Sequence, residues 1–136
     1  MTFYLDSSAL IKLIHLECES AELRKFLRGD LFTSILTKLE VQRFLTFESA
    51  NARPEISNHP SFINFVSIND LLIKKCINLN LPRLVRTLDS IHLATAVSLT
   101  KSLSGVITYD KKMQRACQAL GIKFYAPGQS TPFWQL

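Results

Sequence analysis

The feature that most constrains the fold is the opening stretch, Met1 to Ser8, a short apolar run (Phe3, Tyr4, Leu5) that stops at Asp6, Ser7 and Ser8. Aromatic residues favour a strand, and apolar side chains on both faces of so short a run need cover on both sides, as in a parallel sheet. In open α/β sheets, ligands bind beyond the carboxyl ends of the strands, so Asp6 stands where chemistry is expected. Asp6 or Ser7 can equally cap the helix that follows, because both residue types are common N-caps.

The rest of the chain alternates. Ala9, Leu10, Leu13, Ile14 and Leu16 recur at helical spacing, with Lys12 projecting elsewhere. A second helix is predicted over Ser20 to Leu27, stopped by Gly29 and Asp30. Leu31 to Ser34 reads as a strand, followed by a helix to about Ala50 that carries Glu40 and, three residues on, Arg43. Ser49 to Ser61, with Pro54 and Pro60, marks a loop or a partly helical connection, and the run Phe62 to Ile68 contains a third strand, best placed at Phe65 to Ile68. Asn69 and Asp70 look like caps for a helix from Leu71 to about Leu79. A basic connection, Leu81 to Arg86, leads into a helix from Leu88 to Lys101, with Asp89 in its first turn and His92 three residues later. Gly105 to Thr108 reads as a fourth strand running into Tyr109 and Asp110. Met113, Ala116, Cys117 and Leu120 define a last helix stopped by Gly121, and Lys123 to Tyr125 a short edge strand. The tail, with Phe133 and Trp134, is expected to pack on the body or on a second subunit.

Strands and helices in this order imply a central, mainly parallel five-stranded sheet in a three-layer α/β/α sandwich, built with right-handed crossovers. A chain of 136 residues suits a single domain over 1–136. The three cysteines, Cys18, Cys76 and Cys117, are far apart and odd in number, which points away from a disulfide framework and a zinc site and toward reduced thiols in the core. No cleavable leader pattern opens the chain and no apolar run approaches a membrane span, so a cytoplasmic location without membrane contact is expected. The formal net charge of +5 is compatible with a polyanionic partner.

Asp6, Glu40, Asp89 and Asp110 each have an ordinary explanation as a cap, a helix-face residue or an acid near a helix start, and His92 as a hydrogen-bonded structural histidine. Their placement is nonetheless ordered. If the first and fourth strands are neighbours, Asp6 and Asp110 emerge side by side, and helices starting at that edge bring in Asp89 and Glu40. Carboxylates so gathered repel one another, and a divalent cation relieves the repulsion; oxygen ligands suit Mg²⁺ or Mn²⁺. Two such ions about 4 Å apart activate a water and stabilise a leaving oxygen in phosphodiester cleavage.

Tyr4-Leu5-Asp6-Ser7-Ser8-Ala9-Leu10, the Thr33-Ser34, Thr37 and Glu40 segment, Leu88-Asp89-Ser90-Ile91-His92-Leu93-Ala94 and Thr108-Tyr109-Asp110 resemble the four acidic motifs of the PIN-domain family, and within it the VapC-type toxins of toxin–antitoxin pairs. The resemblance implies a Mg²⁺- or Mn²⁺-dependent endoribonuclease held inactive by an antitoxin, whose C-terminal segment is expected to cross the acidic groove, and a homodimer. It assigns the catalytic and metal-binding positions to Asp6, Glu40, Asp89 and Asp110, with Ser8 and Thr108 as supporting residues. Ser90 stands where many relatives have alanine. Lys12, Arg43, Arg83, Arg86, Lys111 and Lys112 are candidates for holding RNA phosphates, each also readable as a solvated surface charge. The competing readings are a catalytically silent PIN-like module that binds RNA or protein, and an aspartyl-phosphate enzyme, against which Ser8 stands where a second acid is expected.

Overall fold

The computed structural model describes residues 1–48, 60–99 and 101–130; Phe133, Trp134 and most of the loop expected from Ser49 lie outside that range. The first strand, β1 (Thr2–Leu5), is buried along its whole length. It sits at the centre of the sheet because its side chains find apolar cover on both sides. Phe3 and Leu5 join a core with Leu31, Ile63 and Ile107, roofed by Ala9, Leu10 and Leu13, Leu23, and Val41 and Leu45. Tyr4 points the other way, into a second core with Val106, Leu93, Ala96, Met113, Ala116 and Cys117. At roughly 1.5–3 kcal/mol for each large side chain buried, these two cores supply the main driving force for folding.

From β1 the chain runs through α1 (Ser7–Ile14) and α2 (Ser20–Phe26) to β2 (Asp30–Ser34), then α3 (Leu36–Glu48) and β3 (Ile63–Val66). It continues through α4 (Asp70–Asn78) and α5 (Thr87–Ser98) to β4 (Leu103–Ile107), then α6 (Lys111–Ala119) and β5 (Phe124–Tyr125). The sheet order is β3-β2-β1-β4-β5, with every pairing parallel. Helices α1, α2 and α3 contribute to one core and α5 and α6 to the other, so the three-layer sandwich expected from the alternation is present.

Boundaries differ from the sequence reading in four strands: β2 begins at Asp30, the residue expected in the turn, β5 begins at Phe124 instead of Lys123, and the third and fourth strands shift further. The third starts at Ile63, two residues before the expected Phe65, because Ile63 pairs with Leu31 and fills the first core. Ile68 falls outside it, and Asn69 caps α4 by accepting from Leu72 N–H. The fourth strand runs Leu103–Ile107, so Thr108 lies just beyond its end. Cys117 is buried as expected, and burial pushes its thiol up to about 12; Cys18 is instead exposed. Among the described residues, no helix is long and apolar enough to cross a membrane.

Candidate active site

All five strands point the same way, so the N-termini of the helices that follow them collect at one edge of the sheet. Asp6 leaves the end of β1 and is the N-cap of α1, its Oδ1 accepting from Ala9 N–H at 3.1 Å. Asp110 is the N-cap of α6 and accepts from the backbone of Lys112 and Met113. Asp89 lies in the first turn of α5, three residues after its N-cap Arg86. Glu40 is in the second turn of α3. For Asp6 and Asp110, capping through Oδ1 and a place at this edge of the sheet are therefore compatible.

Asp6 is the deepest of the four, 3% exposed. Its Oδ1 also accepts from Ser8 Oγ at 2.6 Å and its Oδ2 from Thr108 Oγ1 at 2.5 Å. Ser8 Oγ accepts from Tyr109 N–H, and Thr108 Oγ1 from Asp110 N–H. Ser8 and Thr108 thus tie the end of β1 to the turn after β4 and bring Asp6 within one side chain of Asp110. Glu40, Asp89 and Asp110 line one groove of about 870 Å³ together with Arg86, Thr87, Leu88, Tyr109, Lys111 and Lys112.

Burial raises the pKa of Asp6, against the opposing effects of His92, Ser8 and Thr108. Asp89 is also raised, first by burial and then by the negative charge of Asp110, with Glu40 adding to it. Asp89 therefore feels the negative charge of both other acids that line the groove.

His92 is the residue whose part in the site the sequence did not reveal. It is 2% exposed and bridges Glu40 Oε1 at 2.5 Å from Nε2 and the Tyr4 hydroxyl at 2.6 Å from Nδ1. Burial would lower its pKa, but the Glu40 hydrogen bond and the nearby carboxylates outweigh this and raise it. The one available signal was its position three residues after Asp89, which puts both on one face of α5.

Of the basic candidates, Arg86, Lys111 and Lys112 line the groove, whereas Arg43 and Arg83 do not. Arg43 sits over the Phe47 ring, 5.6 Å from its centroid. Lys12 departs furthest from expectation: it is buried, 2.9 Å from both Glu17 and Glu19 and 4.6 Å from the centre of the Tyr109 ring. A lysine so engaged is part of the packing between the end of α1 and the Tyr109 turn, and has no free charge to offer a phosphate.

The expected ion cage is not fully assembled. Among the described residues, no group of three His, Cys, Asp or Glu side chains stands ready to hold an ion in its present position. Local hydrogen bonds orient three of the acids, Asp6 through Ser8 and Thr108, Asp110 through the backbone of Lys112 and Met113, and Glu40 through His92. The donor set is nonetheless all oxygen and strongly negative, which suits a hard cation such as Mg²⁺ or Mn²⁺ once side chains adjust.

A doubly covered parallel sheet with acids from four separate elements gathered at its carboxyl edge defines an α/β domain with an acidic, basic-rimmed groove. The family model described as PIN domain matches residues 3–119. The chain belongs to the PIN-domain family. It is 37% identical over 126 residues to Ribonuclease VapC46 of Mycobacterium tuberculosis, covering 91% of this chain and 96% of that protein. Ribonuclease VapC35 of the same organism is 35% identical over 133 residues, covering 93% and 98%. Among solved structures, a toxin-antitoxin complex from Klebsiella pneumoniae contains a chain with a TM-score of 0.63 at 22% identity, covering 96% of this chain and 97% of that one. The crystal structure of Mycobacterium tuberculosis VapC20, a Sarcin-Ricin loop cleaving toxin, gives a TM-score of 0.65 at 13% identity, covering 84% and 94%. At these identities the solved structures speak to the fold.

Proposed function

We propose that this chain, read as one PIN domain over 1–136, is an endoribonuclease and the toxin half of a toxin–antitoxin pair. The reading is carried by one observation: Glu40, Asp89 and Asp110, from three helices, face one groove whose walls also hold Arg86, Lys111 and Lys112. A negative centre with positive walls suits a polyanion that must be gripped by its phosphates and cut between them. Two curated ribonuclease relatives spanning nearly the whole chain support the same reaction.

Asp6 and Asp89 are assigned as the principal ligands of a Mg²⁺ or Mn²⁺ ion, with Glu40 and Asp110 completing its surroundings. Held by these residues, such an ion would supply an activated water and charge relief for the leaving oxygen. The chain's own residues prepare the rest. Ser8 and Thr108 hold the Asp6 carboxylate in a fixed orientation while burial keeps it dry, and a desolvated carboxylate pairs more strongly with a cation. Arg86, Lys111 and Lys112 neutralise phosphates flanking the scissile bond and orient it in the groove. The same acidic groove is the surface on which an antitoxin would act, its C-terminal segment crossing it with a basic side chain among the carboxylates. A homodimer and a cytoplasmic location complete the proposal.

The test is cleavage of total RNA by purified protein. Asp6→Ala and Asp89→Ala abolish cleavage while circular dichroism stays native, and excess EDTA abolishes it in the wild type. Full activity in both variants or in EDTA overturns the reading, and folded protein that binds RNA without cutting it points to a silent binding module.

A further inference from the structure

A chain of hydrogen bonds runs from the centre of the sheet to the groove. Ser34 N–H, at the end of β2, donates to the Tyr4 oxygen at 3.1 Å. Tyr4 is fully buried in β1 and lies 2.6 Å from His92 Nδ1, and His92 Nε2 lies 2.5 Å from Glu40 Oε1. The Glu40 end sets the direction of its own link. A carboxylate oxygen can only accept, so Nε2 carries a hydrogen and donates to Glu40. In the neutral ring Nδ1 is then the acceptor and takes the Tyr4 hydroxyl hydrogen, whereas in the imidazolium Nδ1 also donates, to the Tyr4 oxygen; in both states Ser34 N–H donates to that oxygen and Nε2 to Glu40. Every link has one donor and one acceptor, and the links join β2, β1, α5 and α3.

We infer that His92 is a positioning residue, which fixes one Glu40 oxygen against the rigid centre of the sheet so that the other is presented to a cation in the groove. The inference rests on the metal-dependent nuclease reading and adds a residue to it. A glutamate is long and flexible, and holding its side chain costs up to about 2 kcal/mol of rotamer entropy. Glu40 is only partly buried, its side chain 25% exposed, so packing alone does not hold it. A buried ring anchored at its far nitrogen by a tyrosine does. The arrangement matches the way hydrogen-bonding partners behind a ligand fix its orientation. Because His92 follows Asp89 on the same face of α5, one helix supplies a carboxylate to the groove and the clamp for a carboxylate from α3.

The experiment uses full-length protein, RNA cleavage and Mn²⁺ binding followed by calorimetry without RNA. His92→Asn places its amide near the Nδ1 position and keeps a partner for Tyr4, but is too short for Glu40; His92→Gln reaches the Nε2 position and can donate to Glu40. A positioning role predicts that His92→Asn weakens Mn²⁺ binding about 10- to 100-fold and that His92→Gln recovers most of the loss. In a Glu40→Ala background, His92→Asn has no further effect on Mn²⁺ affinity. Tyr4→Phe, which keeps the ring and removes only the hydroxyl, gives a smaller loss in the same direction and serves if His92→Asn does not fold. Equal losses in the Asn and Gln variants, or a loss that persists without Glu40, overturn the positioning role and leave the nuclease reading standing. Wild-type protein that binds no Mn²⁺ overturns both.

Discussion

Asp89 is where the groove's electrostatic conflict is concentrated, because burial and the charges of Asp110 and Glu40 all favour its protonated form. Its folded pKa lies above the unfolded value near 3.9, so the stability its protonation contributes is fully present below about pH 4 and is lost as pH rises through the folded value. At neutral pH the charged Asp89 therefore costs the fold stability. Asp89→Asn removes that cost, and the variant should melt a few degrees above wild type at pH 7, corresponding to about 0.5–1 kcal/mol once solvent screening is allowed for. The gap should narrow toward pH 4. Adding Mg²⁺ to wild type should close most of it, and should do little for the variant. Thermal melts between pH 4 and pH 8 check this; a variant less stable than wild type at pH 7 and above contradicts it. At this scale, the sequence showed which acids stand at ends and starts of elements, and so which were candidates. It could not show that Lys12 would be captured by Glu17 and Glu19, or that the partner of Glu40 would be His92 instead of Arg43. Those contacts depend on how loops and helices return in space, for which local spacing carries no information.

Between elements, Gly105 in β4 is a position where backbone and neighbour meet without room for a side chain. A Cβ added there falls 2.5 Å from the Tyr125 ring. That ring is confined by Phe26 at 5.2 Å and Phe3 at 5.8 Å between centroids, so it cannot swing aside freely. Gly105→Ala should therefore push β5 away at a cost of about 1–3 kcal/mol. Displacing β5 also pulls on Thr108, whose N–H donates to Tyr125 O at 3.0 Å and whose hydroxyl holds Asp6. Denaturant titration should show the lower stability, together with cleavage weaker than wild type but above that of Asp6→Ala. Wild-type stability in this variant would mean that the edge strand yields freely. The order and type of the elements were legible because apolar runs alternate with helical repeats and caps. The third strand was displaced by two residues because the run from Phe62 to Ile68 offers several four-residue windows, and only pairing with Leu31 and burial of Ile63 chooses between them.

For the whole molecule, the net charge of +5 is spread over many surfaces, and only part of it can act on a nucleic acid in the groove. Arg86, Lys111 and Lys112 are the basic residues of its lining. If each neutralises one phosphate of a single-stranded RNA, the logarithm of the association constant should fall against the logarithm of salt concentration with a slope of about −2, at roughly −0.7 for each contact. Replacing any one of the three by alanine should then flatten the slope by about 0.7. Lys25 provides the contrast: it is exposed and paired with Glu22 at 3.4 Å, away from the groove, so Lys25→Ala should leave the slope as it is. The measurement is best made on an uncleaved oligoribonucleotide in the Asp89→Asn background without divalent ions, which keeps the acidic centre constant across the series. Slopes that do not change in the three groove variants would place the phosphates elsewhere on the surface. A uniform decline in all four, Lys25→Ala included, would mean that the whole positive field attracts RNA and that the groove confers no register on it.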